Sequence, residues 1–121
     1  YEDLLFAKIL KDERITILHI DNPLIHIGLE KSKSFLQKSI LAAETLAILY
    51  HSGKISNTRM LNFHKRLKKI GFNRLIAHFA LKFYSVIEHN ITSTQVNLRY
   101  FDILRYAVFY KKLNDLIKSS S

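Results

Sequence analysis

The chain has 121 residues, of which 48% are apolar and 24% are charged; this size and balance are typical of one globular domain and exclude a largely disordered polypeptide. The absence of cysteine excludes a disulfide framework, a thiolate nucleophile and a zinc site built on cysteine. The formal net charge of +9 lies in the second half, because residues 58–121 carry twelve Lys and Arg against three Asp and Glu, whereas residues 1–57 carry seven of each.

The first predicted element is a helix over residues 2–11, where apolar side chains recur at helical spacing. Glu2 and Asp3 fall in its first turn, where the helix dipole stabilises ionised carboxylates. From spacing alone, this favourable interaction with the helix dipole is enough to explain why two acidic residues occur at this position.

A short strand is predicted next, over the β-branched run at residues 15–20. Pro23 breaks this run, and residues 24–29 could be extended as well. A lone strand is not stable in water, because its backbone donors and acceptors need a partner. The strand therefore either pairs with residues 24–29 as a hairpin or completes a larger sheet.

The rest of the chain is almost purely helical in pattern. Apolar side chains recur at helical spacing over residues 34–51, 58–70 and 73–89, and from residue 95 or 97 to 117. Gly53 and Gly71 are suited to end the first two of these helices, and Asn73 to cap the third. No apolar run reaches the ~18 residues of a spanning helix, so we expect the chain not to cross a membrane. The predicted fold is mostly α, with four to five helices and one short strand or hairpin near the N-terminus.

Three motifs near the N-terminus follow one another in a recognisable order. They are YEDLLF at residues 1–6, ITILHI at 15–20 and NPLIHIG at 22–28. This order resembles the C-terminal part of bacterial family 2 glycosyltransferases, which have the α/β GT-A fold. The resemblance implies that residues 1–30 are the C-terminal edge of the catalytic domain and that residues 31–121 are a basic helical C-terminal region. It implies transfer of a sugar from a nucleotide-diphosphate sugar to a hydroxyl acceptor in polysaccharide or cell-surface glycan synthesis.

The resemblance also assigns roles to individual residues. Asp3 matches the carboxylate that acts as general base on the acceptor hydroxyl, and Glu2 matches its companion carboxylate. His26 matches a histidine that, in some members, joins the divalent cation, Mn²⁺ or Mg²⁺, which neutralises the leaving diphosphate. The family's nucleotide-binding half, with its DxD-type carboxylates, has no counterpart here. We therefore expect the chain to be a portion of an enzyme and to bind no cofactor by itself. In the complete enzyme, its expected partners are a nucleotide-sugar donor and a glycan or lipid-linked acceptor.

Plainer interpretations of the histidines stay open. His26 is equally well explained as a partly buried histidine bonded to backbone, and His19 with Asp21 as the end of a strand. The remaining histidines form no pair four residues apart on a helix, which disfavours a zinc site of that kind; they are His51, His64, His78 and His89.

The basic helices suggest an anionic partner. Cations alternate with apolar residues in a pattern typical of helices that lie on anionic lipid; the cations are Lys65, Arg66, Lys68, Lys69 and Arg74. A solvated helical face is the plainer interpretation. Nucleic acid is not expected, because the aromatic residues near Arg99 and Arg105 fit a helix core and no nucleic-acid motif is present.

A second function follows from this surface. The chain would then be a non-catalytic basic helical module that binds an anionic membrane or an acidic partner. For both functions we expect a cytoplasmic location with peripheral contact to the inner face of the cell membrane. Apolar surface left exposed would also allow a homodimer.

Overall fold

The computed structural model describes residues 2–18, 20–21, 32–93 and 97–120. Within these ranges all regular secondary structure is helical. The six helices are α1 (Glu2–Asp12), α2 (Ser32–His51), α3 (Arg59–Ile70), α4 (Asn73–Lys82), α5 (Tyr84–Thr92) and α6 (Leu98–Ser119).

The predicted strand and hairpin near the N-terminus are wrong, because the described residues contain no strand and no part of an α/β sheet. The mostly α character is confirmed for these residues. Residues 15–18 and 20–21 lack regular structure, and the side chain of Leu18 is 84% exposed. A β-branched run supplies strand propensity but no partner, and no described part of the chain pairs with it. The proposed partner, residues 24–29, lies outside the described residues.

The predicted helix over residues 73–89 is two helices, which is why the described chain has six rather than four to five. The break is confined to Phe83, whose φ of −98° and ψ of 23° leave the helical region. The backbone N–H of Phe83 still donates to Phe79, and that of Ile87 to Phe83, so the bonding ladder continues. Asn73 is the first residue of α4 rather than its cap. The helical spacing of apolar residues continues through Phe83, so the sequence pattern does not indicate the break between α4 and α5.

The helix ends of α3 and α6 follow from local chemistry. The side-chain oxygen of Thr58 accepts from the N–H of Leu61 at 3.2 Å and caps α3. Gly71 ends this helix with a φ of 80°, a left-handed conformation that glycine adopts without a Cβ penalty. The side chain of Asn97 accepts from the N–H of Arg99 at 3.0 Å and caps α6.

Helix α6 is the centre of the bundle, because it packs along α2 and α4 and also contacts α5. Its residues contribute to both parts of the core. One part joins α2, α3 and α6, and the other joins α2, α4, α5 and α6. The largest fully buried side chains are Tyr106, Phe109, Leu36, Leu46, Leu61 and Leu104. No described helix combines the length and apolar character required to cross a bilayer.

Candidate functional site

The two carboxylates predicted to act in catalysis lie at the start of α1. Asp3 is exposed in the first turn, and Glu2 is the first residue of the helix. Helix α1 contacts the core through Leu5, and the Nζ of Lys8 donates to the carbonyl of Lys54 at 3.3 Å. Asp3 is therefore an exposed residue on a helix that contacts the bundle through Leu5 and Lys8.

The predicted metal ligand, His26, lies outside the described residues, as does His19 of the alternative pair; Asp21 is exposed. Across the described ranges, no group of three His, Asp or Glu side chains is placed to hold a metal ion.

The N-terminal segment exposes an unusual amount of apolar surface. None of its described side chains between residues 3 and 21 is fully buried. Seven large apolar side chains of this segment are between 49% and 84% exposed, and we call them the N-terminal apolar surface: Leu4, Phe6, Ile9, Ile15, Ile17, Leu18 and Ile20. Scattered exposed apolar residues are normal, but seven within one short segment are typical of an interaction surface.

The five predicted surface cations are all exposed. Helix α3 buries one narrow stripe, Leu61, His64 and Leu67, and presents the rest of its circumference to solvent. Lys65 is held against the preceding loop, because its Nζ donates to the carbonyl of Ser56 at 2.9 Å. We call the exposed cations the basic patch: Lys65, Arg66, Lys68, Lys69 and Arg74.

An apolar groove lies between α4, α5 and α6. It encloses about 440 Å³, and its main lining residues are Leu75, Phe79, Phe83, Val86, Tyr100 and Ile103. Phe79 and Phe83 are each 49% exposed, although large aromatic side chains usually pack inside a domain. The buried residues of α4 are instead Ala77 and Ala80. Helix α4 thus buries small side chains and leaves its large ones, such as Phe79, in the groove.

A second cavity, the arginine pocket, lies between α3 and α6. It encloses about 360 Å³, and its main lining residues are Arg59, Phe63, Asp102, Ile103, Arg105 and Tyr106. The guanidinium carbon of Arg105 lies 5.3 Å from the centroid of the Phe101 ring, within the range of a cation–π contact. The rings of Phe63 and Tyr106 meet edge to face at 5.1 Å.

His64 has a structural role that its sequence position does not reveal. It is the buried polar residue of the described core, and it is enclosed by the rings of Tyr50, Tyr106, Phe109 and Tyr110. Burial, and secondarily the charge of Lys68, lowers the pKa of His64 from 6.5. A buried and neutral imidazole bonded to Tyr106 stabilises the core and offers no ligand to solvent.

The groove was not predicted, although the sequence contains a signal for it. Residues 72–87 carry two adjacent apolar stripes, one with Phe72, Leu75, Phe79 and Phe83 and the other with Ala77, Ala80 and Ile87. A helix pair on the surface of a bundle buries one stripe, so a second stripe of large residues indicates exposed apolar surface.

Comparisons with known proteins identify no similar family, protein or structure: no family model, no curated protein and no solved structure matches this chain. The likeness to family 2 glycosyltransferases therefore stays a prediction based on residues 1–28.

Proposed function

We propose that this chain is the acceptor-side and C-terminal portion of a family 2 glycosyltransferase, which transfers a sugar from a nucleotide-diphosphate sugar to a hydroxyl acceptor in bacterial polysaccharide or cell-surface glycan synthesis. The observation that supports this proposal is the N-terminal apolar surface beside the exposed Asp3. A segment that carries a catalytic carboxylate and completes a neighbouring catalytic domain needs apolar side chains for that contact.

In this proposal Asp3 is the general base. Its exposure lets the carboxylate come within hydrogen-bond reach of an acceptor hydroxyl, at about 2.6–3.2 Å, and accept its proton as the sugar is transferred. Glu2 lies next to it in the chain and positions the acceptor or the neighbouring loop. The divalent cation is assigned to His26 together with carboxylates of the nucleotide-binding half, where it would neutralise the leaving diphosphate.

The experiment uses the protein as its own gene expresses it. The intact mass should clearly exceed the 14.2 kDa of this chain, and the product should release nucleoside diphosphate from a nucleotide sugar when a hydroxyl acceptor is added. A product of 14.2 kDa that binds no nucleotide sugar would contradict the proposal.

The helical region favours a second function, binding to an anionic membrane surface. The observation that supports it is the continuity of the basic patch with exposed apolar side chains. Ile70 at 65% exposure and Phe72 at 50% lie between Lys69 and Arg74 in the chain. Apolar side chains can enter the headgroup region while neighbouring cations contact anionic lipids. Both functions are compatible with one protein, because docking on a membrane would bring the enzyme to a lipid-linked acceptor.

A further inference from the structure

The apolar groove and the arginine pocket share one wall. Ile103 of α6 lines both cavities, so an apolar space and a charged space adjoin at this residue. Each has a volume within the range of roughly 300–1,000 Å³ that small-molecule sites occupy. A ligand with one apolar part and one charged part can therefore fill both.

The groove fits a hydrocarbon chain. Its wall is almost entirely apolar, and Leu75, Phe79 and Phe83 expose about half of their surface there. Covering these side chains removes apolar area from water, which stabilises the complex by about 25 cal/mol per Å². A polar ligand would gain nothing comparable from this surface.

The arginine pocket fits an anionic headgroup. It contains two guanidinium groups, those of Arg59 and Arg105, against the single carboxylate of Asp102, so it carries a net positive charge. Guanidinium groups bind phosphate through paired, directional hydrogen bonds. A phosphate group is therefore an anion that this pocket can bind.

We infer that the two cavities together bind one anionic phospholipid, with an acyl chain in the apolar groove and the phosphate in the arginine pocket. Charge complementarity selects this occupant over a neutral lipid, and the adjoining apolar groove selects it over free phosphate. The inference goes beyond sugar transfer and does not depend on it. It also differs from docking on a membrane surface, because it requires a saturable site for a single molecule.

The test uses palmitoyl lysophosphatidic acid and palmitoyl lysophosphatidylcholine, each at concentrations below micelle formation, so that no membrane is present. Calorimetric titration of the folded chain should show saturable binding of one lysophosphatidic acid molecule per chain. The zwitterionic lipid should bind about tenfold more weakly, because its phosphate charge is offset by choline. Equal affinity for the two lipids, or no saturable binding of lysophosphatidic acid, would overturn the inference.

Matched variants distinguish the two parts of the site. Val86→Glu places a charge in the groove and should lower lysophosphatidic acid affinity by at least about tenfold. Leu41→Glu, at a position on α2 with a similar exposure of 61% against 63%, should leave affinity unchanged. Arg59→Gln should reduce the preference for lysophosphatidic acid, whereas Lys111→Gln should keep it.

Circular dichroism establishes that each variant is folded, and sedimentation reports its oligomeric state. Unchanged binding in folded Val86→Glu and Arg59→Gln would place the lipid elsewhere. A dimer that takes up no lipid and dissociates in Val86→Glu would assign the groove to a second copy of the chain instead. Either result would overturn the lipid site, and neither would bear on sugar transfer.

Discussion

The Nδ1 atom of His64 lies 3.2 Å from the hydroxyl oxygen of Tyr106, and this contact joins α3 to α6 inside the core. Burial, with a smaller effect of Tyr110, raises the pKa of Tyr106 to about 12, so its hydroxyl keeps a proton to donate at neutral pH. The pKa of His64 is lowered, mainly by burial, so its ring is neutral as well. Two neutral groups therefore share one hydrogen bond inside the core, and the tautomer of His64 sets which of them donates.

This arrangement predicts that the fold is weakened by mild acid. In the unfolded chain His64 has its ordinary pKa of 6.5, whereas in the folded chain its pKa is lower. As pH falls below 6.5, the unfolded chain takes up a proton that the folded chain does not, so the free energy of unfolding falls until the folded pKa is reached. Urea denaturation between about pH 8 and pH 5 measures this loss.

The control for this prediction replaces one histidine at a time. His64→Gln should show a smaller loss of stability on acidification than the wild type, even if it is less stable throughout. His51→Gln, at an exposed position, should keep the wild-type slope. An identical slope in wild type and His64→Gln would show that His64 does not cause the acid sensitivity.

The hydroxyl of Tyr106 should itself contribute to stability. Tyr106→Phe removes the hydroxyl and leaves the buried Nδ1 of His64 without this hydrogen-bond partner, so we expect a loss of about 1–2 kcal/mol in the free energy of unfolding. Tyr110→Phe is the matched control on the same helix, because no described residue bonds to its hydroxyl, and it should cost less than about 0.5 kcal/mol. Equal losses in the two variants would contradict a special role for the Tyr106 contact.

The Thr58 cap should be measurable in the same assay. Thr58→Ala removes the oxygen that accepts from the N–H of Leu61 and should lower the free energy of unfolding by about 1 kcal/mol. Thr58→Ser retains the oxygen and should stay close to the wild type. If Thr58→Ser lost as much stability as Thr58→Ala, the methyl group rather than the cap would be responsible.

Features fixed by nearby residues could be predicted from the sequence. The left-handed end at Gly71 depends only on residues within one helical turn, and this predicted helix end is confirmed. The side-chain cap at Thr58 is equally local, but the sequence pattern indicates only the start of the helix there. Helix α1 is confirmed as well: its predicted range is residues 2–11, and it spans Glu2–Asp12.

Features that depend on distant partners could not be predicted from the sequence. A strand at residues 15–20 needs a second strand that propensity cannot supply. The apolar groove depends on which of two adjacent stripes the bundle covers, and α4 buries Ala77 and Ala80 while Phe79 stays half exposed. The contact between His64 and Tyr106 joins residues 42 positions apart, so no local pattern indicates it. Of the candidate catalytic residues, Glu2 and Asp3 lie in the first turn of α1, as predicted, and their catalytic roles stay predictions.

Binding to membranes should depend on salt and on the basic patch. The chain should float with vesicles that contain phosphatidylglycerol and not with pure phosphatidylcholine vesicles, and added salt should reduce its binding. Lys68→Gln with Lys69→Gln should weaken vesicle binding by about tenfold or more, since each cation near the surface contributes about 1 kcal/mol. The control pair Lys111→Gln with Lys118→Gln should bind like the wild type. Vesicle binding that does not change with salt concentration or with lipid charge would argue against the membrane function.

The most direct test of the account is sugar transfer by the protein as its gene expresses it, with Asp3 compared with a second carboxylate on the same helix. Asp3→Asn should lower the transfer rate by about 10²–10⁴-fold while nucleotide-sugar binding is retained, because only proton removal from the acceptor is lost. Asp12→Asn, at the other end of α1, should keep the wild-type rate. A wild-type transfer rate in Asp3→Asn would remove Asp3 from the mechanism and contradict the account.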